Sequence, residues 1–94
     1  MPKDECVGTH LPPLREGHTM IDWSDPALRC SSVRVRSHTC DCVPTVYELC
    51  TAGGLAHIRR TVRWAGGKRV SESPWLPAAE AMRLWDRLLA GDAL

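Results

Sequence analysis

Apolar and polar positions alternate along TVYELCT, two glycines interrupt at 53 and 54, and LAHIRRTVRW alternates again. A period of two sends successive side chains to opposite faces of a strand, so the pattern predicts a β-hairpin. Gly53 and Gly54 fit its two central turn positions, where glycine takes positive φ without a steric penalty. That turn sets a register. Leu49 falls opposite Ile58 and Thr45 opposite Val62, with Tyr47 on the same face. On the other face Cys50 meets His57 and Glu48 meets Arg59, an opposite-charge pair that supports the alignment. A slip of one residue would scatter both sets.

A second pair, Gly66-Gly67, turns the chain into KRVSES, which predicts a third strand over residues 68–73. A three-residue loop would align Trp64 with Val70, and a two-residue loop would align Trp64 with Arg69; the apolar match favours the first. Val33-Arg34-Val35-Arg36 also alternates and predicts a short further strand. Over residues 77–90 the period changes. Ala78, Ala81, Met82, Trp85, Leu88 and Leu89 recur at spacings of three and four, and Glu80, Arg83, Asp86 and Arg87 fall on the opposite side. Pro77 suits the first helical position and Gly91 the position just past the end. Trp85 and Met82 are expected in the core. The predicted class is α+β: a small antiparallel sheet of three to four strands covered by one C-terminal helix.

Residues 1–19 show no period and carry three prolines and two glycines. Such a segment buries too little to offset its ordering entropy, so a mobile tail is expected there, with residues 20–94 as the single domain. Cys6, His10 and His18 in that tail read as solvated side chains rather than ligands. The stretch MIDWSDPALR suggests a helical turn after Ser24, with Trp23 docked on the domain.

The whole chain has 94 residues, enough for one hydrophobic core. Its formal charge of +1 gives no general attraction for polyanions, so a nucleic-acid partner would need a local basic surface. Ten of the twelve basic residues are Arg, and Phe, Asn and Gln are absent, a bias that suits a GC-rich bacterial genome. No apolar run approaches the roughly 20 residues that span a bilayer, so no membrane partner is expected. The first residues lack the apolar centre of a signal peptide, which points to the cytoplasm and to reduced thiols. Five cysteines, an odd number, also argue against a closed disulfide framework.

Signals for catalysis are sparse. The chain has no nucleophile elbow, phosphate-binding glycine loop or H-E-x-x-H motif, and hairpin turns account for both Gly-Gly pairs. Cys50 facing His57 resembles a nucleophile and base but brings no orienting acid of its own, so neither an enzyme nor a small-molecule substrate is expected. In SHTCDCVPTVYELC the cysteines read first as the edge of the core, because buried Cys behaves as a small hydrophobe. No cofactor is then required. The alternative is zinc held by Cys30, His38, Cys40 and Cys42, or by Cys40 and Cys42 with Cys50 and His57, although neither set has paired C-x-x-C knuckles.

Charge placement gives the leading functional expectation. His57, Arg59 and Arg63 recur at a period of two, Arg60 lies on the other face, and Lys68 and Arg69 sit at the next turn. A small antiparallel sheet lined with Arg can enter a groove or track phosphates. The expected function is thus a small, non-enzymatic regulatory protein binding DNA through these six residues. The alternative is a protein-interaction module of the adaptor or antitoxin kind, in which the same face is polar because it is exposed.

One family shares this layout. Residues 47–91 carry a Tyr-x-Leu strand (Tyr47, Leu49), a glycine turn, an Arg-rich strand (Arg59, Arg60), a glycine turn after Trp64, and a helix rich in Glu and Ala. The order resembles that of WGR domains, strand-rich modules of poly(ADP-ribose) polymerases and bacterial proteins, and the resemblance implies DNA contact. The family's Trp-Gly-Arg core reads Trp64-Ala65-Gly66 here, so its contact residues do not carry over. Arm-binding domains of phage-type integrases and plant ethylene-response domains are similar in strand and helix order.

Overall fold

The structure, a computed structural model, describes residues 9–26 and 33–94. Within them the chain forms β1 (Arg34–His38), β2 (Thr45–Ala52), β3 (Leu55–Trp64), β4 (Gly67–Glu72), β5 (Leu76–Pro77) and α1 (Ala78–Leu89). The strands make one antiparallel sheet in the order β1-β2-β3-β4, and β5 pairs with β3. The α+β class, the covering helix and the additional strand before the hairpin agree with the pattern of the sequence.

The β2–β3 hairpin has the expected register throughout: Thr45 faces Val62, Leu49 faces Ile58, Glu48 faces Arg59 and Cys50 faces His57. Gly53 and Gly54 take φ of 57° and 84°, the left-handed values that such a two-residue turn demands. The next hairpin differs from both expected alignments. Ala65 and Gly66 form the turn, so Trp64 faces Gly67 and Val70 faces Thr61. The Trp64 indole lies across this turn, and a Cβ added to Gly66 would come within 3.1 Å of its Nε1. Packing of the ring on bare glycine backbone decides a register that apolar matching places elsewhere.

β3 is ten residues long, and β4 and β5 share its outer edge at different positions. Ser73 bridges the gap between them. Its backbone N–H donates to the Ile58 carbonyl at 2.9 Å, and its hydroxyl accepts the Ile58 N–H at 2.8 Å. Short strand β5 is not legible in the sequence, because Leu76-Pro77 offers no alternation to read.

Tyr47, Leu49, Ala56 and Ile58 on one face of the sheet meet Ala81, Trp85 and Leu88 of α1, joined by Ile21 and Ala93. Burying side chains of this size contributes roughly 1.5–3 kcal/mol each, which holds the helix on the sheet. Met82 does not belong to this face. It is 56% exposed, and Leu84, half-buried, packs against the core instead. The stripe is narrower on the Met82 side than its spacing suggests. At the helix end the Gly91 N–H donates to the Leu88 carbonyl and the Asp92 N–H to the Arg87 carbonyl, the paired bonds of a Schellman motif.

Residues 1–8, the outer part of the expected tail, lie outside the described residues. Residues 9–19 are laid against the domain. The Arg15 N–H donates to Gly91 O, the Thr19 N–H to Asp92 O, and the Leu94 N–H to Thr19 O. Gly91 makes this approach feasible: its φ is +82°, and a Cβ there would come within 2.7 Å of the Pro13 carbonyl. Trp23 docks as expected, with its Nε1 donating to the Leu94 carbonyl at 3.0 Å and its ring 5.9 Å from that of Tyr47. Residues 20–26 contain no helical turn, and residues 27–32, where it would continue, are outside the described residues.

Candidate functional site

The six expected nucleic-acid-binding residues separate into two groups. His57 is buried at 1% exposure, its ring stacked on Trp75 at 4.2 Å between centroids and 17° between planes. Trp75 donates its Nε1 hydrogen to Glu72 Oε1 at 3.0 Å, and Glu72 Oε2 lies 3.5 Å from His57 Nε2. Burial holds the His57 pKa below its ordinary value, and this outweighs the opposing pull of Glu72. At neutral pH His57 therefore carries no charge. Arg59 does, but its Nε–H donates to Glu48 Oε1 at 2.8 Å. Arg60 points to the helix side, with its guanidinium 4.4 Å over the Trp23 ring. The expected basic stripe over His57, Arg59 and Arg63 is thus not a stripe: one member is neutral and buried, and another is neutralised.

The second group is different. Arg63 and Lys68 stand opposite each other at the end of the β3–β4 ribbon, both exposed, and neither has an ion pair among the described residues. Arg69 is also exposed, and its nearest acid is Asp25 at 3.8 Å. Trp64 lies among them, 57% exposed, its indole resting on Gly66 and Gly67. Alternation sends Trp64 and Arg69 to one face of the ribbon and Arg63 and Lys68 to the other. The ribbon end therefore offers an aromatic plane with cations on both sides.

The Cys50–His57 pair has an acid after all, because β4 brings Glu72 to His57. Its thiol is nevertheless poorly suited to attack. Cys50 is fully buried, and burial pushes its pKa up to about 11, opposed by Arg59. The reactive form of a cysteine is the thiolate, which this setting disfavours.

Among the described residues, neither expected zinc set comes together. Cys30 lies outside the described residues. His38 is exposed, with its Nδ1 2.9 Å from the Thr39 carbonyl, and it is not part of any ligand cluster found among the described residues. Cys50 and His57 lie on the sheet away from Cys40 and Cys42. Instead His10 joins them: ligand atoms of His10, Cys40 and Cys42 all lie within 4.8 Å of one another. The approach follows from a parallel bridge between Thr9 and Thr39, where the Cys40 N–H donates to the Thr9 carbonyl at 2.8 Å. Thr39 is in turn anchored to β2, its N–H donating to Tyr47 O and its Oγ1 accepting the Tyr47 N–H. Cys40 is disulfide-bonded, contrary to the expectation of reduced thiols, whereas Cys42 and Cys50 are thiols. Beside the cluster a cavity of about 350 Å³ runs along Leu11, Leu14, Val43, Tyr47 and Leu88.

Sequence reasoning misses His10 because residues with no period read as solvated. The only sequence signal is a C-x-C pair short of partners, and nothing local links it to a histidine thirty positions earlier. No family model, curated protein or solved structure matches the chain. The likeness to WGR domains accordingly remains one of element order.

Proposed function

We propose that this protein is a small regulatory nucleic-acid-binding protein that engages its ligand through the end of the β3–β4 ribbon. The observation that carries the reading is the grouping of exposed Trp64 with Arg63, Lys68 and Arg69, of which Arg63 and Lys68 have no ion pair among the described residues. An aromatic plane flanked by cations suits a stacked, unpaired base with phosphates on either side. Arg59, Arg60 and His57 support the ribbon rather than touch the ligand, since each is engaged within the fold.

A titration of labelled single-stranded and duplex DNA at two salt concentrations tests this. Arg63→Ala with Lys68→Ala is expected to weaken binding and to flatten the salt slope on a single strand by about 0.7 for each phosphate no longer neutralised. Trp64→Ala should cost about 1–3 kcal/mol, chiefly on the single strand. Arg59→Ala should leave the salt slope unchanged. Wild-type protein that ignores both DNAs at low salt would sink the reading. Co-purification of a protein partner whose retention depends on Trp64 would place the chain in the adaptor class instead.

A further inference from the structure

The segment around Thr9 and the loop joining β1 to β2 meet at three side chains of metal-ligating type, and two of them come from a C-x-C pair. We propose that, once the Cys40 disulfide is reduced, His10, Cys40 and Cys42 hold a zinc ion that clips the N-terminal segment to the β1–β2 loop. The proposal is independent of nucleic-acid binding, because the ribbon end uses other residues.

Distances carry it first. A tetrahedral zinc with Zn–S near 2.3 Å and Zn–N near 2.0–2.1 Å sets its sulfur and nitrogen ligands about 3.6 Å apart. Cys42 Sγ and His10 Nε2 lie 3.5 Å apart, and Cys40 Sγ completes a triangle with all ligand atoms within 4.8 Å. The surroundings fit as well. The Cys42 N–H donates to Cys40 Sγ at 3.4 Å, the kind of second interaction that orients a ligating sulfur and stabilises its thiolate. Cys40 is 6% exposed, while His10 and Cys42 are exposed, so an ion could reach the site from solvent. Two thiolates with an imidazole select zinc over magnesium or calcium, which prefer oxygen. The remaining tetrahedral position falls to a water.

Disulfide and zinc compete for one sulfur. While Cys40 is in a disulfide its sulfur is no thiolate and makes a poor ligand. A low-molecular-weight thiol reductant supplies two electrons and two protons, breaks the S–S bond into two thiols, and is itself oxidised to a disulfide. Zinc then displaces the thiol protons of Cys40 and Cys42, which pass to solvent. Reoxidation by a disulfide of the same class would reverse these steps and release the metal. The metal would therefore close the clip in reduced protein only.

The test uses the full chain, reduced, freed of reductant without air and titrated with zinc. Native mass spectrometry is expected to find one zinc per reduced chain and none on the disulfide form. His10→Ala and Cys42→Ser should each weaken zinc binding at least tenfold, whereas His38→Ala should bind as wild type. Cobalt(II) should give a thiolate charge-transfer band that weakens in Cys42→Ser. Far-UV circular dichroism checks that each variant is folded, and exposed His10 keeps the test valid if Cys42→Ser is not. Reduced wild-type protein without zinc would overturn the proposal, and so would a folded His10→Ala variant of undiminished affinity.

Discussion

On the helix side of the sheet, Leu49, Ala56 and Ile58 pack against Ala81, Trp85 and Leu88. On the far side, Cys50 and His57 are buried just as deeply, yet their surroundings are Glu72, Arg59 and the Trp75 ring. Both faces exclude water, but they do it by different means. Apolar packing has no direction, so the helix face needs only volume and fit. A buried polar group must find a partner or give up its charge, so the far face needs particular residues at particular places. His57 meets that demand by staying neutral, Arg59 by pairing with Glu48, and Glu72 by accepting the Trp75 hydrogen bond.

The largest effect should come from the apolar side. Trp85→Ala removes the biggest buried side chain of α1 and should cost about 3–5 kcal/mol in denaturant unfolding. Met82→Ala, on the same helix but exposed, should stay within about 0.5 kcal/mol. Equal losses in the two variants would erase the distinction between the packed and the free side of the helix.

Next comes the polar side. Glu72→Ala deprives the Trp75 Nε1 hydrogen of its acceptor and takes away the carboxylate facing His57, which should cost about 1–3 kcal/mol. A smaller loss would mean that stacking of Trp75 on His57 holds this face without the carboxylate.

The smallest expected effect is also the most selective. With the His57 pKa lowered in the folded chain, the unfolded state binds the proton more readily. Above the ordinary value of 6.5 both states are neutral and stability is at its plateau. As pH falls through 6.5 the unfolded state protonates first and stability declines, by at most about 1.4 kcal/mol per pH unit, until the folded-state pKa is reached. His57→Phe keeps a ring against Trp75 but cannot titrate. Its midpoint of unfolding should lose most of this dependence between neutral and mildly acidic pH, and an unchanged profile would show that His57 is not its source.

Local pattern accounts for much of the fold. Alternation and a Gly-Gly turn place every pair of the β2–β3 hairpin, and a spacing of three and four with Pro77 before and Gly91 after places α1. The same signals fail where an interaction is not local. Gly91 reads as a helix stop, yet it also gives room to Pro13, a partner almost eighty positions away. Val70 suits a place facing Trp64, but the indole folds onto its own turn and Val70 comes to face Thr61. Of the candidate interface, Arg63, Lys68 and Arg69 are exposed, as alternation predicts, whereas Arg59 is drawn to a glutamate eleven positions earlier.

The sequence by itself determined which residues share a strand face or a helix face, because backbone geometry repeats every two or 3.6 residues whatever surrounds it. Only the tertiary structure decided which of those faces carry usable charge and where the C-x-C pair finds a histidine. Charge depends on what stands within a few ångströms, and the residues that quench His57 and Arg59 or approach Cys42 arrive from other elements. Trp75 closes the far face for the same reason. Ser73 carries the chain across the edge of β3, and that crossing leaves the indole stacked on a histidine that no periodicity links to it.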